Sequence, residues 1–330
     1  MSKSVIRTSF VGPVVLLLLC ACSPAQADDQ AETDQPGETT DTGPAVDTTS
    51  GTVLNTDRLQ REPDRYAEFR RRLLDHQARA ARVDRISRRL RVANAPLCQR
   101  TRLDAGLSVH SLLDYPEGIR PLALHFLPLS ERGQSIRSIV PGSPGDRARL
   151  QPGETILSGW PIEDDAPLVL RGDEGPETVR LEAELACIAP TYVIASDRLN
   201  ASTDGRDIEL STALIDQVGD DAGLALIIAH EMSHALRGHT SDMSRWDMEL
   251  QADGDALILM HNAGYDVATT VASWEAGIEI HRESQSLSAT HPPVSIRLQN
   301  LQRRLAWIEA APEGRLDLPD RLASGSGPGR

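Results

Sequence analysis

The run LALIIAHEMSHALRGHT, residues 224–240, sets an almost unbroken apolar stretch directly against three histidines and a glutamate. Apolar residues at this density belong in a buried helix. The ionisable groups that follow cannot be buried there without partners. Whatever fold the chain adopts must bring a polar cluster to one end of an interior helix.

His230 and His234 are four residues apart, so on a helix both imidazoles leave one face a turn apart and can share a cation. Glu231 lies between them, placed to take a proton from water beside that cation, as in the H-E-x-x-H pattern. The plainer alternative, a core helix with satisfied histidines, gives no reason for a glutamate beside two of them. A third ligand comes from ELQADGDAL, where Glu249 and Asp253 are again four apart on an expected helix. Glu249 reaches the metal and Asp253 accepts a hydrogen bond from a liganding histidine, holding its tautomer. His239 falls on another face and reads as structural, while His261 and His281 have no partner pattern. Trp246 and Trp274 read as core or cleft-wall packing.

The rest of the chain divides by texture. Lys3 and Arg7 precede VVLLLLCAC, a stretch too short to span a bilayer as a mature helix, so residues 1–21 read as an export signal. LCAC, Leu19 to Cys22, resembles a bacterial lipobox, with Cys22 lipidated and Ser23 after it favouring the outer membrane. Cleavage near SPAQA is the ordinary alternative. Residues 22–55 are acidic and nearly free of large apolar side chains, which describes a disordered tether. Within 56–97 the apolar residues Tyr66, Phe69, Leu73, Ala80, Val83, Ile86 and Leu90 fall at helical spacings. Arginines fill the other faces of this amphipathic helix, turned to solvent or to anionic lipid.

Cys98 and Cys187 bracket a region of short β-like runs and Gly/Pro turns. In an exported protein they are disulfide candidates, with two buried thiols as the alternative. Inside this region SIRSIVPGSPGDRARLQPGETILSG resembles part of a PDZ domain, although Arg149 stands where glycine is usual and Glu154 replaces the common Asp. No recognisable ligand-binding loop accompanies it. From Thr191 the pattern is α+β: strands in TYVIAS and GRDIELST, then helices through His234, from about 245 to 262, from 267 to 284, and a last one ending near Ile308. Residues 312–330 read as a disordered tail. With a net charge of −14, part of it local to residues 28–47, no nucleic-acid partner is expected.

AHEMSHALRGH, ELQADGDALILMHNAGYD and THPPVSIRLQNL together resemble the successive motifs of metallopeptidase family forty-eight, the HtpX, BepA and CAAX-prenyl-protease group of gluzincins. LNASTDGRDIELSTALI is similar to that family's active-site edge-strand segment. The resemblance covers about residues 191–308. It implies an α+β fold with a zincin-like helical domain (residues 188–311) and a small edge-strand sheet, beside a β-rich PDZ-like module (98–187). It implies one Zn2+ per chain on His230, His234 and Glu249, with Glu231 as base and His291 near the oxyanion. Arg297 matches the trailing arginine of the motif that contains His291. The expected activity is hydrolysis of unfolded or misfolded envelope proteins, with substrate aligned on a strand around Ile208 to Leu210. The expected place is the periplasmic side of the bacterial envelope, on a lipid anchor. The competing reading is an envelope chaperone or scaffold with a gated, rarely active site; the oligomeric state is open.

Overall fold

The computed structural model describes residues 66–163, 166–238, 244–280 and 292–319. The expected signal, tether and lipidated Cys22 lie outside these residues. The described chain opens with a long helix, α1 (Ala67–Ala93), in which Leu73, Ala80, Val83, Ile86 and Leu90 are all buried. Their three-, four- and seven-residue spacing lines one face, as the sequence pattern requires. Val83, Ile86 and Leu90 enter the same core as Leu224 and Ile228 of α5 (Asp221–Arg237) and Leu257 of α6 (Arg245–Asn262). The helix is therefore a wall of the main core.

The arginines of α1 are the solvated face expected only in part: Arg70, Arg71 and Arg72 in its first turns are exposed, whereas those further along contact protein. Arg79 pairs with Asp216 of α4 (Thr212–Gln217), and Arg82 and Arg85 share Asp221 at the start of α5. Arg88 and Arg91 both reach Asp104 of β1 (Thr101–Asp104), and Arg88 also binds Glu184. These five arginines are protein contacts.

The chain then forms β2 (Leu107–Ser111), a short helix α2 (Arg120–Phe126), β3 (Gln134–Ile139), a single turn α3 (Pro144–Arg147), β4 (Thr155–Ser158), β5 (Leu168–Gly172), β6 (Gly175–Val179) and β7 (Glu184–Cys187). Strands β2 to β6 form an antiparallel sheet in sequence order around Ile136, Leu150, Ile156, Leu168 and Leu170. Each strand is joined to its successor, so this small core closes on local pairings. Arg149, where the resemblance expects glycine, has φ 61 and is the one non-glycine residue with positive φ among the described residues. A side chain there costs about 1 kcal/mol, which is the physical reason glycine suits the position.

This module is tied to the body at several places, among them its base and the middle of α1. At its base β1 pairs antiparallel with β7, and Cys98 is disulfide-bonded to Cys187 across a sequence separation of 89. Higher up, Asp84 of α1 accepts hydrogen bonds from Ser108 Oγ (2.6 Å), Arg137 (2.9 Å) and Ser138 Oγ (3.1 Å).

Beyond β7 a second sheet holds β8 (Thr191–Ile194), β9 (Ala201–Thr203) and β10 (Ile208–Ser211), in the order β8-β10-β9. Strand β10 is central, parallel to β8 and antiparallel to β9. The sequence expectation of an edge around Ile208 to Leu210 is thereby corrected: both sides of that strand are already paired. Part of STDG, expected as a turn, belongs to β9, which is a free edge and packs along α5. Helices α7 (Val267–Ile280) and α8 (Val294–Glu309) complete the body. No helix among the described residues is long and apolar enough to cross a membrane.

The C-terminal stretch also departs from expectation. Residues 312–319 lie as a strap across α6 instead of fraying. Leu316 is buried, its N–H and C=O are bonded by the Asn262 amide, Gly314 C=O accepts from His261, and Pro319 C=O accepts from Arg237. The apolar signal was two isolated leucines, Leu316 and Leu318, too sparse to reveal the packing.

Truncation after Ala311 is expected to lower the unfolding free energy by about 2–4 kcal/mol, from the buried Leu316 and its lost hydrogen bonds. Truncation after Pro319 is expected to leave it unchanged in the same urea titration. Asp104 gives a pH signature. Burial opposes its charge and also lowers Arg91, but Arg91, the Gly106 N–H and Arg88 together hold the carboxyl below its ordinary value. Its folded pKa lies below the unfolded value of about 3.9, so this contribution is complete above that pH and is lost as pH falls through the folded pKa. As pH falls below about 4, unmutated protein should lose more stability than Asp104→Asn.

Candidate metal centre

Helix α5 starts where Asp220 caps it, its side chain accepting the Gly223 N–H at 2.7 Å, and stops at Gly238 in the left-handed conformation with φ 54. Between these limits every residue from Gly223 to Ser233 is buried. This includes His230 and Glu231, so the apolar run carries them into the interior as the sequence demanded. Helix α6 begins at Ser244, which caps the Asp247 N–H, and packs against α5.

Their contact splits into two charged clusters. On one side His234 Nε2 lies 3.2 Å from His230 Nε2, and Glu249 brings Oε2 to 3.4 Å from His230 Nε2 and Oε1 to 3.7 Å from His234 Nε2. A tetrahedral zinc with bonds of about 2.0–2.2 Å separates its ligand atoms by about 3.3–3.5 Å. The observed spacing fits that requirement. Candidate ligand atoms of His230, His234 and Glu249 all lie within 4.8 Å of one another, and two imidazoles with one carboxylate are a donor set zinc accepts.

The ring orientation of His230 is fixed from behind. Its Nδ1 faces Asp253 Oδ1 at 2.9 Å, so Nδ1–H donates to the carboxylate and Nε2 is turned to the cluster. Asp253 is in turn gripped by Arg297, with Nε to Oδ2 at 2.8 Å and Nη2 to Oδ1 at 2.5 Å. Arg297 is itself buried and lies over the ring of Trp274, 5.7 Å from its centroid. Burial opposes the Asp253 charge, but Arg297 and the His230 hydrogen bond prevail and hold the carboxyl well below the usual range. Burial likewise opposes protonation of His230; the carboxylates of Asp253 and Glu249 overcome it and push the metal-free ring up to about 10. A metal ion arriving at Nε2 therefore displaces a proton.

On the other side of the crossing Asp255, fully buried, accepts from Ser233 Oγ at 3.0 Å and from Arg237 through Nε at 2.7 Å and Nη2 at 3.1 Å. Sequence reasoning missed this cluster. Its signal was a second aspartate two residues after Asp253, ahead of ALILM, where no unpaired carboxylate is tolerated.

The structure thus brings together His230, His234, Glu249, Asp253 and Arg297, with Glu231 buried on the same helix. His291, His239 and His281 lie outside the described residues. His261 is away from the cluster, against the strap. Trp274 is buried, whereas Trp246 is exposed.

Residues 180–245 and 240–305 match the sequence model of Peptidase family M48. The match supports the M48 metallopeptidase family. M48 peptidases are zinc-dependent, and both the histidine pair and Glu249 fall within the matched residues. The match spans less than half of the chain and leaves the β2 to β6 module outside it. No curated protein and no solved structure matches the chain.

Removing the Asp253 charge should loosen the metal without emptying the core. Asp253→Asn is expected to weaken zinc binding about 10- to 100-fold. Competition with a chromophoric chelator reads this directly, and Glu231→Gln should bind zinc as the unmutated protein does.

Proposed function

We propose that this chain is a zinc-dependent endopeptidase of the bacterial cell envelope that hydrolyses peptide bonds in misfolded or damaged proteins. The carrying observation is the convergence of His230 Nε2, His234 Nε2 and the Glu249 carboxylate beside Glu231, at spacings that suit one tetrahedral ion. Three protein ligands leave one position open, as catalysis needs and a structural site does not.

His230, His234 and Glu249 would hold a zinc ion, which would supply Lewis acidity, polarising the scissile carbonyl and making the attacking water more acidic. Glu231 accepts the proton of that water and returns it to the leaving amine. Asp253 keeps the His230 tautomer fixed through both steps, and Arg297 keeps Asp253 ionised. His291, from the motif that opens α8, donates to the developing oxyanion.

The substrate lies along β9. Ser211 N–H bonds Asn200 C=O, and antiparallel alternation then turns the N–H and C=O of Ala201 and Thr203 to the free edge. Backbone pairing is indifferent to side chains, which suits unfolded protein. The envelope assignment draws on the export signal, the lipobox at Cys22 and the disulfide between Cys98 and Cys187, which fits an oxidising compartment. On this reading the chain is lipid-anchored and faces the periplasm from the outer membrane, with the PDZ-like module beside the protease.

The soluble form beginning after Cys22 is expected to hold one zinc per chain and to cut an unfolded protein such as casein. Glu231→Gln should keep the zinc and lose cleavage by at least about 100-fold. Zinc without cleavage in either protein would favour a holding chaperone, and absence of zinc would remove the metal reading.

A further inference from the structure

The inward stripe of α6 holds a discontinuity at its first turn. Trp246, Glu249, Asp253, Ala256 and Met260 succeed one another at three- and four-residue steps, so their side chains leave one face of the helix. Relative exposure along this face is 2% at Glu249, 3% at Asp253 and 0% at Ala256 and Met260, but 42% at Trp246. The stripe is covered as far as the third metal ligand and bare one turn before it. A tryptophan on the inward face of a helix ordinarily removes most of its large apolar surface from water. Here the helix runs out past its partner: Arg245, Trp246 and Asp247 are all exposed, Met248 is half-buried and Glu249 is buried.

Trp246 lies one helical turn before Glu249 on the same side of α6. Residues three apart on a helix have Cβ atoms about 5–6 Å apart. An extended polypeptide advances about 3.3 Å per residue. A substrate whose scissile carbonyl sits at the His230, His234 and Glu249 cluster therefore carries its neighbouring one or two side chains past the indole.

We infer that Trp246 is a specificity-determining residue, forming the wall of a subsite that takes a large apolar side chain within two residues of the scissile bond. This rests on the peptidase reading of the same site. The indole offers a flat apolar face with no charge to select against, so the preferred side chains are Phe, Leu, Met and Tyr over Gly, Ala, Asp and Glu.

Two measurements on the zinc-loaded protein test this. In the first, unmutated, Trp246→Ala and Trp246→Phe proteins digest casein and the new termini are read by mass spectrometry. The expected result is enrichment of large apolar residues within two positions of the cuts by the unmutated protein, loss of that enrichment with Trp246→Ala, and its return with Trp246→Phe. Zinc content should be equal in all three. In the second, Glu231→Gln protein, with or without Trp246→Ala, is titrated with an alanine-rich decapeptide carrying one central Phe and with its all-alanine analogue. The Phe peptide should bind about tenfold tighter, a preference of the size one large apolar group supplies, and Trp246→Ala should abolish the difference. Identical cut profiles in the three proteases, or a Phe preference that survives Trp246→Ala, would overturn the assignment. Failure of the unmutated protein to cut at all would count against the peptidase reading instead, and the peptide titration would still decide whether Trp246 binds the side chain.

Discussion

Asp253 is a carboxylate held ionised in the protein interior, and the geometry of the site depends on that one charge. Left alone it would be protonated or would draw in water, since an unpaired buried charge is prohibitively costly. Arg297 on α8 holds both of its oxygens while His230 on α5 donates to one of them. Helices α5, α6 and α8 are thereby fixed against one another by a single planar group. The cluster of ring nitrogens that can take a metal is the outer surface of that arrangement. The second aspartate, Asp255, repeats the logic on the far side of the crossing with Ser233 and Arg237, so α5 is gripped on two faces and has little freedom to roll. Pairs of this kind are weak arguments for stability and good ones for geometry.

Helix α1 extends the same constraint outward. Its apolar face completes the core under α5, and its arginines hold Asp216 and Asp221 on α4 and α5, Asp104 on β1 and Glu184 on β7. The module is attached to the same helix through Asp84. Movement of the module relative to the metal helix is consequently movement about α1.

Much of this was legible beforehand because it is written in short-range patterns. The histidine pair, Glu249 and Asp253 each follow from a four-residue helical step, and Leu73 to Leu90 fall at the same spacings. The parts that escaped depend on partners far away along the chain. Nothing near Arg79, Arg82 or Arg85 announces that their carboxylates lie more than 130 residues on. Ile208 to Leu210 has the alternation of a strand, but whether a strand is central or an edge is decided by its neighbours; β8 is legible in TYVIAS, whereas β9 is three residues long and runs into what reads as a turn. The strap failed for a related reason: two leucines among charged residues have no period, yet the side chain of Asn262 satisfies the backbone of Leu316 on both sides.

The disulfide has one more consequence. Cys98 and Cys187 stand at the two ends of the β1 to β7 segment with their Cα atoms 5.6 Å apart, so everything between them is a closed covalent ring that enters and leaves the body at one place. A protease that nicks the ring leaves both fragments joined. A chain rebuilt without it would need only a residue or two to join position 98 to position 187. The segment is thus an exchangeable attachment, and the metal-binding helices can keep one geometry while what hangs beside them changes.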